Sequence, residues 1–546
     1  MTDPLTPPAT ANSKPSAWAP LRLLYFRNLW MASLVSNLGS WMQDTAGTWL
    51  MTVLTASPLL IALMQTAASL PVLLLGFTAG ATADIFERRR LLIFWQSWML
   101  VSVLLLSILT LAGFIGPWTL LALTFLLNIG TAINNPAWQA IVPELVPRHE
   151  LPDAISLNSA GFNLARAVGP ALGGLAMVAF ATTIKGAGAV FLFNSASFVA
   201  VIAVLYTWKR TPPIKSALPA ELMFGSMRAG LRYIRHAPLL QAVLIRAFLF
   251  TSFVSAIWAL LAVVAHQILH QGAMGYSILN GCLGLGAVAG ALYLPKLRQN
   301  FSSDQIVSFA PMICIATLVV LAFVHSVALV VVTLIAAGFA WTTTTSTLNI
   351  SVQLSVPNWV QARALGVYQM IFWGGMALGS AIWGSIAEHF STSWSLLVAA
   401  IGLLCSLPLA HRFHLLQGEP PDMNPYALNR PAPQVLIEPH PKDGPVMVTI
   451  EYRIPAENYD KFTHCVHKLK EVRLRDGAFR WGIYQDVGNP ERFVENFVVE
   501  SWLEFLRERE RMTVADRATR DYVWSLHAGD APPAISYMLY ARERAT

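Results

Sequence analysis

Gly161-Phe-Asn-Leu-Ala165-Arg166-Ala-Val-Gly169-Pro170-Ala-Leu-Gly173-Gly174 is the stretch whose reading decides the fold. Its glycines leave a strip without side chains on an apolar helix, where a second helix backbone can lie close, as small residues allow in membranes. Pro170 removes one internal hydrogen bond and invites a bend. Arg166 would cost about 2.5–3.5 kcal/mol or more if it faced lipid. That side of the helix is therefore expected to meet protein or a water-filled path.

The composition agrees with a membrane setting. Hydrophobic residues make up 55 % of the chain, charged residues 12 %, and the mean hydropathy is +0.52; an ordinary soluble domain carries about a quarter charged residues. Apolar runs near the ~20 residues that cross a bilayer follow one another from about residue 28 to 411, and twelve are expected. The net charge of +7 could suggest nucleic acid, but its distribution excludes that partner. Arg22, Arg27, Arg88, Arg89, Arg90, Arg148, Lys209, Arg210, Lys215, Arg228, Arg232, Arg235, Lys296, Arg298 and Arg363 fall in alternate loops, and the opposite loops hold Lys185. The positive-inside rule then makes both termini and the central loop cytoplasmic. Cys282, Cys314, Cys405 and Cys465 are too widely spaced for a disulfide frame or a zinc site. No metal, cofactor or catalytic set is expected.

The chain divides into a disordered cytoplasmic amino terminus (1–27), a six-helix half (28–208), a cytoplasmic central loop (209–239), a second six-helix half (240–412), a Pro-rich linker (413–445) and a soluble tail (446–546). Residues 1–27 lack the layout of a signal peptide. In the first helix Asn37, Ser40, Asp44 and Thr48 are spaced to share one face. Asp44 is a carboxylate inside a membrane segment, able to take up and release a proton. One proton moving through about 100 mV contributes about 2.3 kcal/mol, enough for roughly 50-fold accumulation. The alternative is a rim residue with a structural partner.

The second helix ends in Gly80-Ala-Thr-Ala-Asp84-Ile-Phe-Glu-Arg88-Arg89-Arg90, a tight turn whose carboxylate can bind a helix end or an arginine and latch the cytoplasmic side. Helix 4 carries Asn128, Thr131, Asn135 and Gln139 at helical spacing, a stripe that lines either a cavity or an interhelical contact. The basic, amphipathic segment Met227–His236 of the central loop is expected to lie along the inner leaflet.

A shift of 210 residues places Gly80 on Gly290, Arg88 on Arg298, Pro147 on Pro357, Gly169 on Gly379 and Gly174 on Gly384 without a gap. Duplication of a six-helix unit explains that register. The second half repeats the polar stripe as Thr342, Thr345, Asn349 and Gln353. Beyond the linker the pattern reads β-α-β-β-α-β, with one helix over Trp502–Leu526, and this order is ferredoxin-like.

The opening stretch resembles the Gly-x-x-x-Gly-Pro-x-x-Gly-Gly motif of major facilitator superfamily exporters, with Ala165 in its first glycine place and Gly161 one turn earlier. The Gly80–Arg90 loop is similar to that superfamily's signature loop. The tail resembles domains of the antibiotic-biosynthesis-monooxygenase type, and the whole chain resembles the transmembrane secretion effector family, relatives of the enterobactin exporter.

The resemblance implies an all-α polytopic membrane protein of twelve transmembrane helices in two six-helix repeats, with a C-terminal α+β ferredoxin-like domain. It implies a central cavity lined by Asn37, Asp44, Asn128, Asn135, Arg166, Trp258, Asn349, Tyr368 and Trp373, and self-association through the tail's sheet. From helix rise, Asp44 and Arg166 are expected to form a pair that opens on protonation.

The expected function is secondary active export of an amphipathic small molecule, drug- or siderophore-like, across the bacterial inner membrane by proton antiport. The chain has no phosphate-binding loop for ATP. Its expected partners are the small-molecule substrate, protons and membrane lipid. A membrane-tethered oxidoreductase acting through the tail, where His464, His467, Trp481 and His527 form no recognisable catalytic set on spacing alone, and a proton-coupled importer are the alternatives.

Overall fold

The computed structural model describes residues 18–147, 150–208, 223–415 and 439–541 except 530, together with 422, 423 and 435. Most of the Pro-rich linker and residues 209–222 of the central loop therefore lie outside the described residues. So do residues 1–17; from Trp18 on the chain is structured, with a 3-10 turn at Ala19–Arg22 and a first helix that starts at Leu24 rather than near residue 28.

Thirteen helices form the larger part of the described chain: α1 (Leu24–Leu54), α2 (Pro58–Ile85), α3 (Arg88–Leu111), α4 (Pro117–Leu145), α5 (Leu151–Val178), α6 (Thr183–Thr207), α7 (Met223–Arg235), α8 (Pro238–Val263), α9 (Ala273–Asn300), α10 (Ser303–Phe323), α11 (Val327–Leu354), α12 (Asn358–His389) and α13 (Thr392–His411). Proline opens α2, α4, α5 and α8, where its missing N–H has no helical partner to lose. Among the described residues nine helices, α2–α4, α6 and α8–α12, are long and apolar enough to cross a membrane. The polar, glycine-bearing α1 and α5 and the shorter α13 pack between them.

Helix contacts come in matched sets. In the first half α1 packs on α5 and α6, α2 on α4, and α3 on α4 and α6; in the second, α8 packs on α12 and α13, α9 on α11, and α10 on α11 and α13. Two packings make most of the contact between the halves, α2 with α12 and α5 with α9. Adding 210 to the residue numbers carries each contact of the first set onto one of the second, and exchanges the two joining pairs.

Glycine sets the distance between α1 and α5. A Cβ at Gly169 would lie 2.5 Å from Trp41 Cβ, and one at Gly173 would lie 2.9 Å from the Met42 carbonyl oxygen. With the backbones this close, the outward faces are clear. Exposed Met31, Val35 and Val53 mark one side of α1, and Leu164, Val168 and Leu175 one side of α5. At 100° per residue, Asn37, Ser40, Asp44 and Thr48 lie opposite the first set and Arg166 opposite the second, toward the interior.

The tail packs helices α14 (Tyr459–Asp476), α15 (Trp502–Arg511) and α16 (Val514–Ser525) on an antiparallel sheet of β1 (Val446–Arg453), β2 (Ala478–Gln485), β3 (Arg492–Val499) and β4 (Ala534–Leu539), in the order β2-β3-β1-β4. The single helix expected over Trp502–Leu526 is broken, because Thr513 and Asp516 form a reciprocal cap that starts a new one.

The basic central-loop helix docks on the tail. In α7, Arg228 pairs with Glu500 at 2.7 Å and Arg232 with Glu504 at 3.0 Å, both on the tail. Buried Tyr233 meets Trp359 at the start of α12 edge-on, 5.7 Å between ring centroids. Arg475 lies 5.4 Å from the Tyr233 ring and Arg511 4.4 Å from the Trp359 ring. Carboxylates of the tail thus supply counter-charge to Arg228 and Arg232. The side holding this domain is the tail face of the bundle; the ends of α1, α8 and α12 mark the far face.

Candidate functional site

An open pocket lies between α11 and α12. It measures about 400 Å³ and is lined by Thr345, Ser346, Asn349, Ile350, Tyr368, Gln369 and Phe372, within the range of small-molecule sites. Tyr368 is fixed by its hydroxyl, which donates to the Thr345 carbonyl at 3.3 Å, and Asn349 accepts from Gln353 at 2.7 Å. Behind the wall stands a run of rings: Phe372 is 5.5 Å from Trp341 and 5.3 Å from Trp373, and Trp341 is 4.4 Å from Trp258. No lining residue carries a charge. Such a surface holds an apolar or aromatic body by contact and orients it by amide and hydroxyl groups.

In the first half, Asp44 presents an exposed side chain on the interior face of α1. The Tyr276 hydroxyl of α9 stands beside Thr48 and within electrostatic reach of Asp44, and its ring stacks on Trp49 at 5.6 Å. Arg166 lies with its guanidinium 5.6 Å from the Trp41 ring centroid. Among the described residues Asp44 and Arg166 form no ion pair within 4.0 Å, so the expected pair is not closed in this conformation. The cause is that Trp41, one turn nearer the tail face than Asp44, receives the cation on its ring.

The other expected cavity residues separate. Trp258, Asn349, Tyr368 and Trp373 gather at or behind the pocket, and Asn37 is half-buried on the Asp44 face. Asn128 donates to Thr124 O of its own helix at 2.9 Å, and Asn135 is exposed. Thr131 reaches Met99 Sδ of α3 at 3.5 Å, so the helix-4 stripe serves an interhelical contact in part. Gln43, on another face of α1, accepts from buried Asn194 of α6 at 2.6 Å.

In the helix-5 motif Gly169 and Gly173 face α1, Gly174 faces Ser277 of α9, Pro170 is buried, and Gly161 has ordinary clearance, 3.5 Å from Trp30 Nε1. The motif thus bears on both halves. In the loop after α2, Arg88 pairs with Glu144 of α4 at 2.7 Å, and Arg89 donates to the last carbonyls of α6, those of Leu205 and Tyr206, at 2.8 Å each. Gly80 and the Asp84 side chain lie outside what is described.

Sequence reasoning missed Gln369 and Phe372, which stand four residues before Trp373 and four after Tyr368 and could have been found from helical spacing. It also missed Trp41 and Tyr276, which no pattern distinguished from core aromatics.

Beside its apolar core the tail buries a polar network. Glu495 accepts from Tyr452 at 2.8 Å, Trp481 at 3.0 Å and Arg473 at 3.3 Å, and Arg473 also donates to Glu508 at 2.9 Å. His467 bonds Thr463 O within its own helix at 2.7 Å, and His527 Nδ1 accepts from the Arg453 N–H at 2.8 Å. Both rings are used by the backbone.

The profile of the transmembrane secretion effector family matches residues 15–546. The multidrug efflux pump Tap of Mycolicibacterium fortuitum is 24 % identical over 394 residues, 70 % of this chain and 93 % of that protein. The staphyloferrin A transporter of Staphylococcus aureus is 22 % identical over 384 residues, 68 % of this chain and 92 % of that one. Among solved structures, a bacterial homolog of the human lysosomal transporter Spinster, inward-facing and unoccupied, superposes with a TM-score of 0.59 at 13 % identity over 71 % of this chain and 98 % of that chain. A D-xylose-proton symporter gives 0.56 at 14 % identity over 71 % and 98 %.

Proposed function

Because this chain belongs to the transmembrane secretion effector family, a family of major-facilitator transporters and not of enzymes, we propose that it exports an amphipathic, uncharged small molecule in exchange for protons. In this reading twelve helices cross the bacterial inner membrane as two duplicated halves, both termini are cytoplasmic, and the tail face is the cytoplasmic side. The paired helix contacts support the duplication.

One observation carries the proposal: an uncharged pocket lined by rings and amides stands in the second half, and a carboxylate, Asp44, stands on the interior face of the first. Cargo and proton then have separate places, which rocking of the halves can expose in turn. The described relatives, an efflux pump and a siderophore transporter by name, support drug- or siderophore-like cargo. The order β-α-β-β-α-α-β and the strand order of the tail support a ferredoxin-like accessory domain, and self-association through its sheet belongs to the same reading.

The test is flux of an aromatic dye panel in everted membrane vesicles under an imposed pH gradient. Accumulation inside acid-interior vesicles, lost in Asp44→Asn with expression unchanged, is expected. Coupled movement in the opposite direction would make the protein an importer, and gradient-driven accumulation by Asp44→Asn equal to that of the parent would remove Asp44 from the coupling.

A further inference from the structure

The far face holds a set of contacts that neither the pocket nor Asp44 uses. The tip of the α1–α2 hairpin, Thr55-Ala-Ser57, is gripped by two elements of the other half. Glu388, one residue before the end of α12, accepts from the Ser57 hydroxyl at 2.7 Å and from the Leu59 N–H at 3.3 Å. Gln267 donates to the Ala56 carbonyl at 3.3 Å.

Each partner is built for its place. The first-turn N–H groups of a helix have no partner within it, and a carboxylate there also meets the positive end of the helix dipole. Ser57 caps α2 by accepting from Leu60 N at 3.3 Å while its proton goes to Glu388. The two side chains, from opposite halves, therefore share the first donors of one helix. Gln267 lies in a π-helical turn, Val264–Ile268, that ends the α8 span; such turns widen the helix and mark functional places. The same turn brings His266 edge-on to Trp49 at 5.6 Å, and Trp49 stacks on Tyr276 at 5.6 Å, so a ring of the first half is held between two of the second.

We propose that Glu388 is the latch of the far-face gate, a positioning residue whose bonds to Ser57 and Leu59 hold the hairpin tip against α12 and keep the interior closed on that side. The inference rests on the alternating-access reading. Opening the far face separates α2 from α12 at this end, and Glu388 must then release the α2 terminus to water.

The test is pulsed electron–electron distance measurement on the full-length chain in lipid nanodiscs, with the four native cysteines replaced. Spin labels at exposed Val53 and Phe390 read the far face, and labels at exposed Phe86 and Phe301 read the tail face. Glu388→Ala is expected to raise the ratio of long to short far-face distances by about 2- to 30-fold, the range of a lost helix cap, with matching shortening at the tail face. Glu388→Gln falls between, and Ser57→Ala shifts the ratio the same way but adds little to Glu388→Ala, because both remove the Ser57–Glu388 bond. His389→Ala, whose ring bonds Ser385 O of its own helix, leaves the ratio unchanged.

A wild-type chain that samples both far-face distances while Glu388→Ala keeps the same ratio would overturn the latch and leave alternating access standing. A chain in which no variant couples far-face lengthening to tail-face shortening would overturn both.

Discussion

Substituting the glycines of α5 one at a time tests whether close backbone approach to α1 holds the first half together. A methyl group at residue 173 would lie 2.9 Å from Met42 O and 3.1 Å from Met42 Cα. Both are backbone atoms, so no rotamer change relieves the clash and the helices must move apart by about half an ångström, at a cost of about 1–3 kcal/mol. Gly169→Ala meets Trp41 Cβ at 2.5 Å and should cost as much. Gly161→Ala is the internal control: its new Cβ lies 3.5 Å from Trp30 Nε1, ordinary contact, and replacing a helical glycine gains up to about 1 kcal/mol.

Reversible unfolding of the reconstituted protein in mixed micelles, titrated with dodecyl sulfate, measures all three. The expected order of stability is Gly161→Ala at or above the parent, then Gly169→Ala and Gly173→Ala well below it. Transport should fall with the last two, because α1 carries Asp44 and Trp41. Equal loss at 161 and 173 would refute the reasoning, since the two sites differ only in clearance.

Trp359→Ala removes the ring between Tyr233 and Arg511, one edge contact and one cation–π contact, together about 1–3.5 kcal/mol of docking; faster hydrogen exchange in α7 and faster proteolysis near the linker check it. Glu495→Ala leaves Arg473, Tyr452 and Trp481 without their shared acceptor and should destabilise the tail by about 3–5 kcal/mol, read as a lower melting transition of the tail with the helical transition unchanged. In the pocket, Tyr368→Phe loses one hydroxyl bond and should change dye affinity less than about tenfold. Tyr368→Ala, which removes the ring, should weaken it by more than that, as fluorescence titration of the reconstituted chain would report.

Much of the chain was legible before any coordinates. Apolar runs of bilayer length, the glycine strip of α5, the 210-residue register and the alternating strands of the tail are local or periodic, and local chemistry sets them: chain length against membrane thickness, spacing against helical pitch. The same spacing puts Asn37 and Asp44 on one helix face. What touches those residues is not a periodic property. That Arg166 rests on Trp41 and not on Asp44, that Arg228 and Arg232 meet tail carboxylates, and that Glu388 caps a helix more than 300 positions away each depend on where separate elements come to lie. Sequence order carries no record of such distances, because they arise only when both halves and the tail have packed.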